Sequence, residues 1–74
     1  MWRKSSMEKE IIFTLREKDI IFAIAEGLSN QAIAEKLFIS SHTVKAHLEK
    51  MFEKTGLHNR VQLVVFAYKA GLFV

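Results

Sequence analysis

The chain has 74 residues, half of them hydrophobic, with 11 lysines and arginines against 8 aspartates and glutamates, and it has no cysteine. This length allows one small domain, and the lack of cysteine excludes disulfides and cysteine-based zinc sites. The net charge of +3 permits binding to nucleic acid but does not establish it, because many proteins of other functions are equally basic.

The N-terminal stretch MWRKSSMEKE is charged throughout and lacks the apolar centre of a signal peptide. The longest apolar run, at residues 20–25, is too short to cross a bilayer. We therefore expect a cytoplasmic protein with no membrane contact. Residues 1–10 are predicted to form a flexible tail, followed by one domain over residues 11–74.

Apolar residues recur at steps of three and four, without strand-like alternation, and this pattern predicts an all-α domain. The predicted helices cover residues 15–26, 30–37, 41–54 and 60–70. Thr14 and Glu17 have the spacing of a capping box, in which the hydroxyl and the carboxylate each accept a backbone N–H. The N-caps predicted for the other three helices are Ser29, Ser40 and Asn59.

The second and third predicted helices are separated only by Phe38, Ile39 and Ser40. So short a connection predicts a sharp helix-turn-helix, with Ile39 filling the corner and small Ala34 allowing close approach of the helices. Such a turn often contains glycine, whereas this chain has Phe38. Either Phe38 adopts a positive φ, at a cost of about 1–2 kcal/mol, or the turn has another shape.

The third predicted helix has one apolar face and one polar face, counted at about 100° per residue. The outward side is predicted to carry His42, Ala46, Lys50 and Glu53, flanked by Thr43, Lys45 and Glu49. Its lysines suit phosphates or guanine edges, Thr43 and His42 suit phosphate or a base, and Ala46 suits a thymine methyl group. Scattered charge alone indicates an ordinary solvent-exposed helix face. Together with the sharp helix-turn-helix, however, the same side chains favour binding to double-stranded DNA.

The last predicted helix has two apolar stripes. Leu63, Val64, Ala67 and Ala70 form the stripe expected to pack on the core. A second stripe, formed by Val61, Val65 and Tyr68, is expected to be exposed and to bind a partner. The alternatives are that the N-terminal tail, with Trp2, folds over it, or that the whole protein is a small helical adaptor that binds other proteins through it.

The histidines give no metal site, because His42 and His47 are five residues apart rather than three or four. His47 borders the apolar face, so we expect it to be partly buried and hydrogen-bonded. We find no convergent nucleophile, base and orienting acid, and no glycine-rich phosphate loop. The sequence therefore predicts neither an enzyme nor a cofactor.

Residues Phe13 to Leu72 resemble the C-terminal DNA-binding domain of LuxR-type regulators, also called the FixJ or NarL type. The similarity rests on six short segments taken together: T-x-R-E at 14–17, GLSN at 27–30, IA at 33–34, IS at 39–40, TVKAH at 43–47 and NR at 59–60. The resemblance implies a four-helix domain that binds promoter DNA sequence-specifically, usually as a homodimer on paired half-sites. A variant of this hypothesis is a promoter-binding domain similar to region four of sigma factors, which would contain the same turn and bind DNA through the same helix face. RNA polymerase is a further candidate partner.

The resemblance also implies roles for individual residues. In the family, the residues that match Lys45 and Ala46 face base edges. The residue that matches Glu49 also faces a base edge, and it is often basic or polar. The carboxylate of Glu49 would repel phosphate, yet it could accept a hydrogen bond from a cytosine amino group. Phosphate contacts are implied at the starts of two helices, by Ser29, Asn30, Ser41 and Thr43.

Two points stay open in this comparison. Arg60 could contact phosphate or make a structural bond to the third helix or its C-terminal turn. Most family members also carry an N-terminal receiver or ligand-sensing domain. A chain without one is expected to be either a free-standing regulator or a fragment of a larger one. The resemblance implies that any homodimer forms through the fourth helix, and the stripe of Val61, Val65 and Tyr68 suits a two-fold contact.

Overall fold

The computed structural model describes residues 13–73, and these form four helices. We label them α1 (Leu15–Ala25), α2 (Asn30–Leu37), α3 (Ser41–Thr55) and α4 (Arg60–Lys69). The described part of the chain contains no strand. The all-α prediction is therefore confirmed, and each predicted helix end agrees with the structure to within one residue. The predicted tail of residues 1–10 and the proposed cover by Trp2 lie outside the described residues.

Each helix starts where the sequence predicts, because a side chain at the N-cap accepts a backbone N–H of the first turn. Thr14 and Glu17 form the complete capping box, with the Thr14 N–H donating to Glu17 Oε1 at 2.9 Å and the Glu17 N–H donating to Thr14 Oγ1 at 3.1 Å. The remaining three helices have equivalent N-cap bonds, made by Ser29, Ser40 and Asn59.

The core lies where α1 packs against the other three helices and α2 packs against α3. Its largest fully buried side chains come from all four helices: Ile20 and Ile21, Ile33, Val44 and Met51, and Leu63. The first helix, α1, contacts all three others and therefore links the α2–α3 pair to α4. No helix within residues 13–73 has the length and hydropathy needed to span a membrane.

The inner stripe of α4 differs from the prediction at one position. Leu63 and Ala67 are fully buried and Val64 is partly buried, but Ala70 is exposed. The helix ends at Lys69, and the Leu72 N–H donates to the Ala67 carbonyl at 3.0 Å. This turn brings Leu72 against the core, so Leu72 supplies the contact that was expected from Ala70.

Candidate nucleic-acid interface

The turn between α2 and α3 is the sharp turn that the sequence predicts. Phe38 has φ 60° and ψ 42°, so it adopts the left-handed conformation, and it is the only non-glycine residue among those described with positive φ. The next N–H, from Ile39, donates to the Ala34 carbonyl at 3.0 Å and closes the end of α2. Ala34 is buried and Ile39 packs on the core, as predicted. The Phe38 side chain is 93% exposed and therefore contributes little to packing.

This turn leaves the N-terminal end of α3 exposed. Ser41, His42 and Thr43 are all exposed, directly after the N-cap Ser40. The Ser40 hydroxyl accepts the Thr43 N–H at 3.0 Å and also lies 3.0 Å from Thr43 Oγ1. The N–H groups of Ser41 and His42 have no partner among residues 13–73. Together with the positive end of the helix dipole, they favour an anion at this position.

The two faces of α3 are separated as the helical period predicts. Val44, Leu48 and Met51 are buried. The opposite and flanking positions are all exposed: His42, Thr43, Lys45, Ala46, Glu49, Lys50 and Glu53. The predicted readout positions therefore share one accessible helix surface, with Lys45 and Ala46 near its N-terminal end.

Ala46 lies between two shallow surface depressions on this face. One is lined toward the N-terminal end by His42, Thr43 and His47, and the other extends toward Glu49 and Glu53. Ala46 borders both depressions, as does Lys50. A small side chain at this position therefore leaves a concave surface between longer polar ones, which allows close approach of a flat group such as a base edge.

His47 borders the first of these depressions and is partly buried, as predicted. Its ring has no hydrogen bond to a protein group within residues 13–73, so the expected hydrogen bond stays a prediction. His47 thus lies between the buried and the exposed faces of α3.

The lysines of this face are not neutralised by neighbouring acids. The described residues contain two ion pairs, Lys36 with Glu26 at 2.8 Å and Lys54 with Glu17 at 2.9 Å. Lys45 and Lys50 take part in neither, so both ammonium groups remain available to an external anion. Glu49 is likewise without a cationic partner in the described part of the chain.

The start of α2 lies close to the start of α4. The Arg60 guanidinium donates from Nη1 to the Leu28 carbonyl at 3.2 Å and from Nη2 to Asn30 Oδ1. Of the two roles considered for Arg60, a structural bond is observed, but it reaches the α1–α2 loop and the start of α2 rather than α3. This bond engages the Asn30 oxygen and leaves the Asn30 amide nitrogen as a donor beside the exposed N-cap Ser29.

The outer stripe of α4 is exposed, as predicted. Val61, Val65 and Tyr68 are 68%, 46% and 67% exposed. This surface continues onto the C-terminal residues, as the apolar run at 72–74 allows. The Phe73 ring lies 6.4 Å from the Tyr68 ring and 5.1 Å from the Phe22 ring, between ring centroids. An apolar groove lined by Val65, Tyr68 and Phe73 therefore runs along α4.

Comparison with known proteins agrees with this geometry. Residues 12–67 match the family described as "Bacterial regulatory proteins, luxR family". The chain is 45% identical over 60 residues to an uncharacterized transcriptional regulatory protein, YxjL, of Bacillus subtilis (strain 168), an alignment that covers 81% of this chain and 28% of that protein.

Two further relatives have similar coverage. The chain is 44% identical over 61 residues to the oxygen regulatory protein NreC of Staphylococcus aureus (strain JH9), covering 82% of this chain and 28% of NreC. It is 42% identical over 52 residues to the fimbriae Z protein of Salmonella typhimurium (strain LT2), covering 70% of this chain and 25% of that protein. The chain thus spans about a quarter of the length of these relatives. With a family match over most of its length, the chain belongs to the luxR family of bacterial regulatory proteins.

Proposed function

We propose that this chain binds double-stranded DNA sequence-specifically, as the DNA-binding domain of a bacterial transcription regulator. The observation that carries the proposal is the exposed polar face of α3, where Lys45 and Lys50 have no ion-pair partner among the described residues. The family match and the names of its relatives support DNA-binding regulation. An α-helix fits into the major groove of B-DNA, which is about 12 Å wide.

In this arrangement α3 enters the major groove with its N-terminal half. Lys45 and Ala46 then face base edges, while His42 and Lys50 reach bases or the adjoining phosphates. Ser41 and Thr43 at the start of α3, with Ser29 and Asn30 at the start of α2, bind phosphates on the flanking backbone through N–H and side-chain donors. Arg60 acts by holding Asn30 in place, through the hydrogen bond described above.

The domain binds paired half-sites as a homodimer formed through α4. Val61, Val65 and Tyr68 supply the contact, because an exposed apolar stripe on one helix can pack against its own copy about a two-fold axis. A second use of the same stripe is as a docking surface for another protein, which the apolar groove ending at Phe73 favours. RNA polymerase is the candidate for such a contact at a promoter.

Titration with duplex DNA at several salt concentrations tests the proposed function. Neutralisation of about 4–6 phosphates per subunit predicts that the logarithm of the binding constant falls with the logarithm of salt concentration at a slope of about −4 to −5 per subunit. Lys50→Ala, which removes a lysine proposed to reach the adjoining phosphates, is expected to make this slope shallower by about 1. Binding constants that do not change with salt would contradict the proposal and favour a protein-binding adaptor.

A further inference from the structure

Glu49 has an unusual environment for a residue of a DNA-facing helix surface. It is exposed, it lines the same depression as Ala46 and Lys50, and it forms no ion pair within the described residues. Lys45 lies one helical turn away, yet the two side chains are not paired. The carboxylate is therefore accessible and has no cation among the described residues that would compete for hydrogen bonds from outside the protein.

The charges of α3 change along its length. The first half carries His42, Lys45 and His47 and no acid, and Glu49 is the first acidic residue of the helix. Helix insertion from the N-terminal end therefore brings basic and neutral groups into the groove first. Glu49 lies at the limit of that region, one turn beyond Lys45 and Ala46, where base edges are still within reach of a long side chain.

A carboxylate in this position loses water when the helix docks, and this loss costs free energy unless a donor replaces the water. Phosphates offer no donor and repel the charge. In the major groove the cytosine N4 amino group is the donor that pairs with glutamate. Guanine and thymine present acceptors at the equivalent edge, and the adenine N6 amino group lies beside the N7 acceptor, which repels a carboxylate. The depression beside Ala46 gives the base edge room to approach.

We propose that Glu49 selects the binding site by requiring a cytosine amino group opposite it, an inference that rests on the proposed function. The selection works mainly through a penalty on other bases, because an unpaired carboxylate disfavours every site that lacks the donor. A lysine at this position would instead add affinity for phosphate in any sequence. Glu49 thus lowers binding to random DNA while leaving one class of site favourable.

Selection of bound duplexes from a random library tests this inference with three proteins: the unaltered chain, Glu49→Gln and Asp19→Asn. The unaltered chain is expected to enrich cytosine at one position of the half-site. Glu49→Gln is expected to lose that preference or to exchange it for adenine, the base that glutamine pairs with. Asp19→Asn, which removes one negative charge from an exposed position of α1 outside the proposed DNA-binding surface, is expected to select the unaltered motif.

The chemical basis can be tested on a single site. Replacing the selected cytosine by 2-pyrimidinone removes only the 4-amino group, and this is expected to weaken binding of the unaltered chain on the order of tenfold. Binding of Glu49→Gln to the same pair of duplexes should change much less. Circular dichroism of each variant establishes that the fold is retained.

The outcomes separate the two proposals. If the unaltered chain and Glu49→Gln selected the same motif and responded equally to 2-pyrimidinone, the proposed role of Glu49 would be overturned. The proposal of DNA binding would remain intact. A chain that selects no duplex at all would overturn both proposals.

Discussion

Lys54, in the last turn of α3, donates to Glu17 Oε1 in the first turn of α1 at 2.9 Å. The same oxygen accepts the Thr14 N–H of the capping box at 2.9 Å. The Glu17 side chain is 4% exposed, whereas that of Lys54 is 32% exposed. One carboxylate therefore both caps α1 and ties it to the end of α3 opposite the proposed DNA-binding end.

We expect Lys54→Met to destabilise the domain more than Glu17→Gln does. Removing the ammonium leaves a buried carboxylate with only a single N–H donor, at a cost of about 3 kcal/mol. Glutamine keeps a neutral acceptor for the Thr14 N–H, so Glu17→Gln should cost about 1 kcal/mol. Chemical denaturation of both variants measures the difference.

The double variant provides the control for this prediction. In the Glu17→Gln background, Lys54→Met should cost less than about 0.5 kcal/mol, because no buried charge is left unpaired. Additive losses in the double variant would show that the two side chains contribute independently and would contradict the coupling.

Phe38→Gly should stabilise the domain by about 1 kcal/mol. Glycine adopts the observed φ of 60° without the cost that a side chain meets there, and little packing is lost because Phe38 is 93% exposed.

The opposite change is the control. Gly56→Ala introduces a side chain at φ 75°, where the new Cβ would have open space, so its expected loss of about 1 kcal/mol comes from the backbone alone. A stability lowered by Phe38→Gly would show that the ring makes a stabilising contact.

Arg60→Lys should lower stability by about 1–2 kcal/mol, because lysine cannot hold the Leu28 carbonyl and Asn30 Oδ1 together with one planar fork. Denaturation measures this loss, and DNA titration gives a second measurement. Since the guanidinium is engaged within the domain, the salt dependence of binding should be unchanged. A slope that becomes shallower by about 1 in Arg60→Ala would instead indicate a direct phosphate contact.

Lys45→Ala should weaken binding to the selected site by about 1–3 kcal/mol and relax the base preference at one position, since this lysine is proposed to read a base edge. Lys36→Ala is the matched control, because its ammonium is paired with Glu26 at 2.8 Å and should contribute little. Fluorescence anisotropy on the selected and random duplexes measures both. If Lys45→Ala weakened binding to the selected and random duplexes equally, Lys45 would contact only phosphate.

Val65→Asp should abolish cooperative binding to paired half-sites, because a charge in the proposed α4 contact would have to be desolvated. Val65 is 46% exposed, so the helix content measured by circular dichroism should not change. A duplex with a single half-site serves as the control, and its affinity should be retained. Unaltered cooperativity on the paired site would remove α4 as the dimer contact.

The helix boundaries and the exposed face of α3 could be predicted from the sequence because their causes are local. An N-cap side chain such as Ser40 binds an N–H three residues ahead, and the helical period puts Val44 and Met51 on the face opposite Lys50. Such signals involve residues within a few positions of one another. They are therefore present in the sequence before any tertiary contact forms.

The tertiary structure decided what depends on distant residues. Lys54 meets Glu17 across 37 positions and Arg60 meets Asn30 across 30, and both contacts follow from how α3 and α4 pack on the rest of the domain. The left-handed conformation of Phe38 has the same origin, since packing of α2 on α3 fixes the turn regardless of its local cost. Sequence patterns record local preferences, whereas the positions of the helices relative to one another are set by burial of the common core.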